Sequence, residues 1–405
     1  MIRLPVFFVA PHRVMFLAGA LQALLAMAFW SIELGGRYAG LWSAPEWPLL
    51  SIIPSSSLHA LLLSCGVYGF FIFGFILTAG PRWQAAGEVS RGDFLPAFGL
   101  LASGWLLVWG ALELPRLLVP GLALALLGWI AIALTLTRLA ARPAAGHEHM
   151  VVVVVAHWLG AAAVGAFLVF AVGGGTTWLR LSMALALWGF LLPVFLAVTH
   201  RMLPFFTATV LRGYVLHRPA WALRALLGLS LAHGTMTFLQ LGAWLWLADF
   251  PAMLIAARLS WLWWSGAALS NRMLAVLHVA FAWLAPSFGL FALQSVLQAV
   301  MPGVLGQAPL HALTLGFFSA MLLGMASRVT LGHSGRPVAA DKVMWVAFCA
   351  MQVATVVRVV GDVPGLPGAA VVMWLSSLVW LGAFALWTWR YAPSCWRPRA
   401  DGKPG

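Results

Sequence analysis

The chain has 405 residues, of which 63% are hydrophobic and 8% charged, with a net charge of +13 and a mean hydropathy of +0.96. A soluble domain carries about a quarter charged residues, so a soluble enzyme is excluded and a chain dissolved in lipid is indicated. The 23 basic residues lie in short segments between apolar runs and form no basic face interleaved with aromatics, which excludes nucleic acid as an expected partner.

Apolar runs of about 20 residues predict an all-α, polytopic integral membrane bundle of about twelve transmembrane helices in a single domain, 1–405. The expected spans are 14–33, 57–80, 94–114, 118–139, 149–172, 178–199, 221–247, 250–270, 273–300, 309–329, 342–361 and 368–390. No small-residue cleavage pattern follows a short apolar core, so Val14–Trp30 is expected to persist as the first helix. With alternating spans, eighteen basic residues fall on one side, among them Arg3, Arg82, Arg142, Arg201, Arg218, Arg328 and Lys403. Only Arg37, Arg116, Arg180 and Arg358 fall on the other, and Arg258 falls within span eight. That bias predicts an inner-membrane protein with both termini in the cytoplasm.

Histidine is the residue type that carries most information here, because neutral imidazole is the usual protein ligand for heme iron, copper or zinc. His59 opens span two and His311 opens span ten, so both are expected near the external surface at similar depth. His157 and His278 fall about two turns inside the opposite boundary, His233 falls near the bilayer centre, and His200 and His333 close spans six and ten. Each read singly is explained by packing and a backbone hydrogen bond. Together they are hard to explain as ion pairs, because Asp249 and Glu113 are the only acids expected near those depths and both read as interfacial. A cofactor is the economical use of several imidazoles in so acid-poor a membrane. The same shortage of acids counts against proton-coupled transport.

Other signals are weaker. His147-Glu148-His149 has the look of a metal motif but reads as a solvated loop beside Arg142, since helical ligand pairs are spaced i, i+3 or i, i+4. Arg258, with Trp261 three residues on, calls for a partner such as a stacked indole, an anion or a heme propionate, or for snorkelling to the surface. The three cysteines are scattered, with no CxxC or CxxCH, which argues against an iron–sulfur cluster or covalent heme. No His-His dipeptide occurs and the four tyrosines are Tyr38, Tyr68, Tyr214 and Tyr391, so the histidine pattern of a terminal oxidase or oxidase-type nitric oxide reductase is not met. Pro204 is expected to break its helix, and Gly332 and Gly335 to turn the chain around His333.

Five segments carry a family resemblance: PVFFVAPHRVMF at the start, LHALLLSCGVYGFFIFGFILTAGPRW at Leu58–Trp83, THRMLPFFT at Thr199–Thr207, AVLHVAFAWLAPSFGL at Ala275–Leu290, and the block from His311 to Pro337. Together these resemble the NnrS family, bacterial membrane proteins that contain heme and copper and are linked to nitric oxide stress. The resemblance implies heme b, with copper as a second cofactor, and protection against nitric oxide or metal–nitrosyl species. It implies His59, His278 and His311 as ligands, with Arg201, Arg328, His333 and Arg336 on the cytoplasmic motif face. His200 and His333 are further candidate metal residues, and Arg201, Arg328 and, from its place within a span, Arg258 are candidate cofactor contacts. Many members read His-x-His-Glu-Met in the second span, whereas this chain has Leu61 and Leu62 after His59, which removes one candidate ligand and an acid. Membrane lipids and a second copy of the chain are the other expected partners. A secondary transporter of a small metabolite or metal chelate is the alternative, compatible with the span count. The sharpest expectation is that His59 and His311 share one cofactor, with Gly66 leaving room for a macrocycle or a neighbouring helix.

Overall fold

In a bilayer every backbone amide must be satisfied within its own segment, so long apolar runs have little choice but helix. The computed structural model describes residues 6–141, 147–298 and 300–402. Ten of its helices are long and apolar enough to cross a membrane: α1 Pro11–Tyr38, α2 Ser55–Trp83, α3 Arg91–Gly110, α4 Pro115–Ala140, α5 His147–Ala171, α6 Thr176–Val210, α9 Arg272–Leu297, α10 Ala308–His333, α11 Lys342–Gly361 and α12 Ala369–Cys395. Two more, α7 Ala220–Phe238 and α8 Trp246–Trp263, have spanning length but carry Arg224 and His233, and Asp249 and Arg258. No strand occurs among the described residues. The molecule is an all-α, multi-pass membrane bundle. Arg3, Arg142 and Lys403, which enter the charge count, lie outside the described residues.

Burial ranks the helices. The most apolar windows of α10, α2 and α6 are 83%, 78% and 72% buried inside the protein, against 28% for α12 and 33% for α3. These three form the core, and their rings interlock: Phe195 of α6 lies 4.6 Å from Phe318 and 6.0 Å from Tyr68. Helix α1 packs against α2 through glycines. A Cβ on Gly66 would meet Gln22 Nε2 at 2.7 Å, and one on Gly74 would meet Phe16 at 2.8 Å. The space at Gly66 is thus taken by a neighbouring helix. Helices α3 and α4 pack backbone to backbone, because a Cβ on Gly104 would lie 2.6 Å from the Ala125 amide nitrogen. Small residues do in lipid what apolar side chains do in water: they let helices approach closely enough for dispersion to hold them.

Caps mark one end of the bundle. Ser90 accepts from the Asp93 amide, Asn271 from Met273 and Leu274, and Asp341 from Met344, so α3, α9 and α11 all begin with a satisfied turn at that end. One expectation needs correction. Pro204 does not end α6; the helix runs on to Val210 with the proline inside it, at the cost of one backbone hydrogen bond. Asp249, in the first turn of α8, is fully buried within the protein, and it binds His233 Nδ1 at 2.6 Å while Trp188 stacks on the same imidazole at 3.5 Å.

Candidate functional site

The core helices α2, α6 and α10 each lose α-helical regularity in one place. Residues Leu62–Val67, Leu185–Leu191 and Ala312–Ser319 are π-helical, with one residue too many per turn. Such turns are rare and occur mostly where a helix serves a site. All three border one cavity of about 260 Å³, lined by His59, Ser64 and Tyr68 of α2, Leu187 and Leu191 of α6, and His311 and Thr314 of α10. Trp30, Arg358 and Trp380 complete its wall. The π turn in α10 leaves the Thr314 carbonyl to accept from both Tyr68 Oη at 2.9 Å and Ser319 Oγ at 3.0 Å.

The two histidines on this cavity are held differently. His59 lies flat against the Trp30 indole, ring centroids 4.2 Å apart and 15° from parallel, and its Nδ1 is buried with no hydrogen-bond partner. An orphaned ring nitrogen in so apolar a place is costly unless something binds it. His311 instead donates Nδ1–H to Asp362 Oδ2 at 2.5 Å, which leaves Nε2 as its lone-pair nitrogen. Arg358 lies 3.1 Å from the other oxygen of the same carboxylate, one turn back along α11, so the acid is fixed from two sides. Gly306, at φ +53°, lets the loop pass over Asp362: a Cβ there would sit 2.2 Å from the Asp362 carbonyl oxygen. The arrangement offers two imidazole nitrogens, flat indole walls and few competing groups. Those are the features that hold a metal ion or a planar metal complex.

The remaining predicted residues lie elsewhere. His278 is hydrogen-bonded to Thr207 Oγ1 at 3.0 Å and does not line this cavity. His200 accepts on Nδ1 from His149 Nε2 at 3.0 Å and donates from Nε2 to the Pro219 carbonyl at 3.2 Å. The His147–His149 stretch expected as a solvated loop is therefore the first turn of α5, with His149 buried against α6. His333 stacks obliquely on His12, ring centroids 4.7 Å apart, at the far end of α10. Arg258 points out of the bundle from α8, exposed beside the equally exposed Trp261. Arg201 and Arg328 join a second cavity of about 740 Å³ at that far end, together with Arg82, Arg218, His333 and Arg399.

Between the two cavities the same three helices close on a small apolar gap walled by Phe71, Phe75, Phe195, Val198, Met321 and Met325. Trp30, Arg358 and Asp362 were missed from sequence. The signal for the last two was present: an Arg–Asp pair four residues apart at the end of span eleven, on the side where cations are scarce. The NnrS protein family model matches residues 6–399, nearly the whole chain. No curated protein matches the sequence.

Proposed function

Because the chain belongs to the NnrS family, we propose that it is a membrane metal protein of the nitric oxide response, with His59 and His311 as the ligands of its centre. The centre is heme b or copper, and nitric oxide or a metal–nitrosyl species is what it meets. One observation carries the reading: two histidines line one largely apolar cavity, one with an unpaired buried ring nitrogen and one braced by a carboxylate. Metal-bound histidines ordinarily donate their other nitrogen to such a group, which fixes the ring and raises its basicity. A metal held by His59 and His311 would supply a Lewis-acid centre for a diatomic ligand. At about 260 Å³ the cavity takes a metal ion and a small ligand as it stands. Sites for larger cofactors run from about 300 to 1,000 Å³, so a macrocycle would displace lining side chains such as Leu63 and Leu187. The excess of arginine at the opposite end supports a cytoplasmic location for that end, in a bacterial inner membrane, and with it an outer position for the histidines. Purified protein, expressed with ample heme and copper, is expected to carry one of them and to change spectrum on addition of nitric oxide. Wild-type protein with neither metal contradicts the proposal.

A second reading, a transporter of a small metabolite or metal chelate, is favoured by the alignment of both cavities and the apolar gap along α2, α6 and α10. Solute flux in proteoliposomes, with no bound chromophore or copper, would support it over the first.

A further inference from the structure

The cavity at the arginine end differs from an ordinary positive-inside surface. Its lining includes five arginines and no acid: Arg82 from α2, Arg201 from α6, Arg218 from the loop after it, Arg328 from α10 and Arg399 from the C-terminal segment. Two are aimed by aromatic rings, with Arg201 4.9 Å from the Trp83 ring and Arg328 3.8 Å from that of Phe206. A guanidinium stacked on a ring keeps its in-plane donors free for another partner. Arg218 has a buried Nε without a hydrogen-bond partner. Among the described residues Arg399 alone of the five is engaged by a carboxylate, that of Asp401 at 2.6 Å, and it also donates to the His333 carbonyl at 3.1 Å. The positive-inside tendency accounts for charge at this end of the helices. It does not account for guanidinia from five separate segments meeting around one space without a carboxylate in its wall. Like charges so placed repel one another, and an anion between them removes that cost.

We propose that this cavity is a binding site for an anion bearing two or more phosphate groups, entering from the arginine end of the bundle. Arginine forks hold phosphate oxygens in pairs, which suits a site with several forks better than one carboxylate would use it. Phe75, Trp83, Met202 and Phe206 line the rest of the wall and give an attached apolar or flat portion somewhere to lie. The phosphates come either from a soluble molecule or from the headgroup of a diphosphatidyl lipid at the membrane surface. The site is separate from the histidine cavity and does not depend on a metal there.

The test uses the full-length protein. Binding of inorganic pyrophosphate is followed by calorimetry in detergent. Retention of cardiolipin is followed by native mass spectrometry after reconstitution in phosphatidylcholine nanodiscs doped with it. Arg201→Gln with Arg328→Gln is expected to weaken the bound anion at least tenfold, and Arg328→Lys, which keeps the charge but loses the fork, to weaken it less. Arg212→Gln, which removes an exposed charge from the loop after α6, is expected to leave binding unchanged. Tight pyrophosphate binding identifies a soluble source, and cardiolipin retention alone identifies a lipid. Wild-type protein that binds neither overturns the site, as does equal weakening by Arg212→Gln and the double variant. Where the double variant fails to fold, Arg328→Lys decides: unchanged binding overturns the site.

Discussion

The two ends of α2, α6 and α10 make opposite use of charge. At the histidine end, the one buried arginine on the cavity is matched by Asp362, and the polar groups around it are bonded in a chain from Arg358 through Asp362 to His311. At the arginine end, five cations surround one space and, among the described residues, only Arg399 has an acid against it. A low-dielectric cavity cannot tolerate unpaired charge, so its chemistry must rest on neutral nitrogen and fixed dipoles. The arginine cavity is larger and its wall more polar, and its partly exposed guanidinia are tolerated because solvent screens them until a ligand arrives. The apolar gap between them, closed by Phe71, Phe195 and Met321, keeps the two regimes apart along the same helices.

That contrast is broken most strongly by Asp362→Ala. It strands the buried Arg358 and unfastens His311, and losing one partner of a buried pair costs about 3–5 kcal/mol. Thermal unfolding in detergent is expected to show the loss, and metal affinity to fall about 10- to 100-fold. Gly316→Ala comes next. Its Cβ would lie 2.5 Å from the Trp283 ring, whose Nε1 donates to Gln352 at 2.8 Å, and overpacking of this kind costs about 1–3 kcal/mol. The π turn of α10 would shift with it, so the melting temperature and the spectrum of a bound metal should move together.

Arg328→Gln sharpens the contrast from the other end. It forfeits a cation–π contact worth about 0.5–1 kcal/mol at such a site and relieves repulsion, so the melting temperature should change little while anion binding falls. A loss as large as that from Asp362→Ala would mean that the arginines are structural.

The fold was legible because lipid leaves so few options: apolar length gave the helices, and arginine bias gave their alternation. The pairing of His59 with His311 on one cavity was foreseen from parity and depth, since both open inward-running spans. What stayed hidden was register and rotation. His278 sits near the arginine end of α9, hydrogen-bonded to Thr207 and at the opposite depth from His59 and His311, and His149 looked solvated because of the Arg142 segment before it, although α5 begins at His147 and carries it inward. Periodicity also gave no warning of the π turns, these three and a fourth at Leu34–Tyr38 of α1 away from the cavity, which shift side chains around the axis by an amount the sequence pattern does not record. Arg258 drew notice for its position within a span, yet it lies on an outer face where a long side chain reaches the surface.

The smallest expected effect is one of pH. Burial raises the Asp341 carboxyl, but the Met344 amide and the Arg390 guanidinium outweigh it and hold the group below its ordinary value. A depressed acid stabilises the fold above its unfolded pKa, about 3.9, and that contribution disappears as pH falls through the lower folded value. The melting-temperature advantage of wild type over Asp341→Asn should therefore be steady near neutrality and shrink in acid below that point. An advantage that grows on acidification would reverse the assignment.

The separation of the two ends is tested most directly by metal and heme content, measured on three purified proteins grown with both supplied. These are the wild type, the variant with His59→Ala and His311→Ala, and the variant with Arg201→Gln and Arg328→Gln. The account predicts that the wild type and the arginine variant carry the same stoichiometric metal and that the histidine variant, eluting as a folded species, carries none. Metal retained in the histidine variant, or lost from the arginine variant alone, would contradict it.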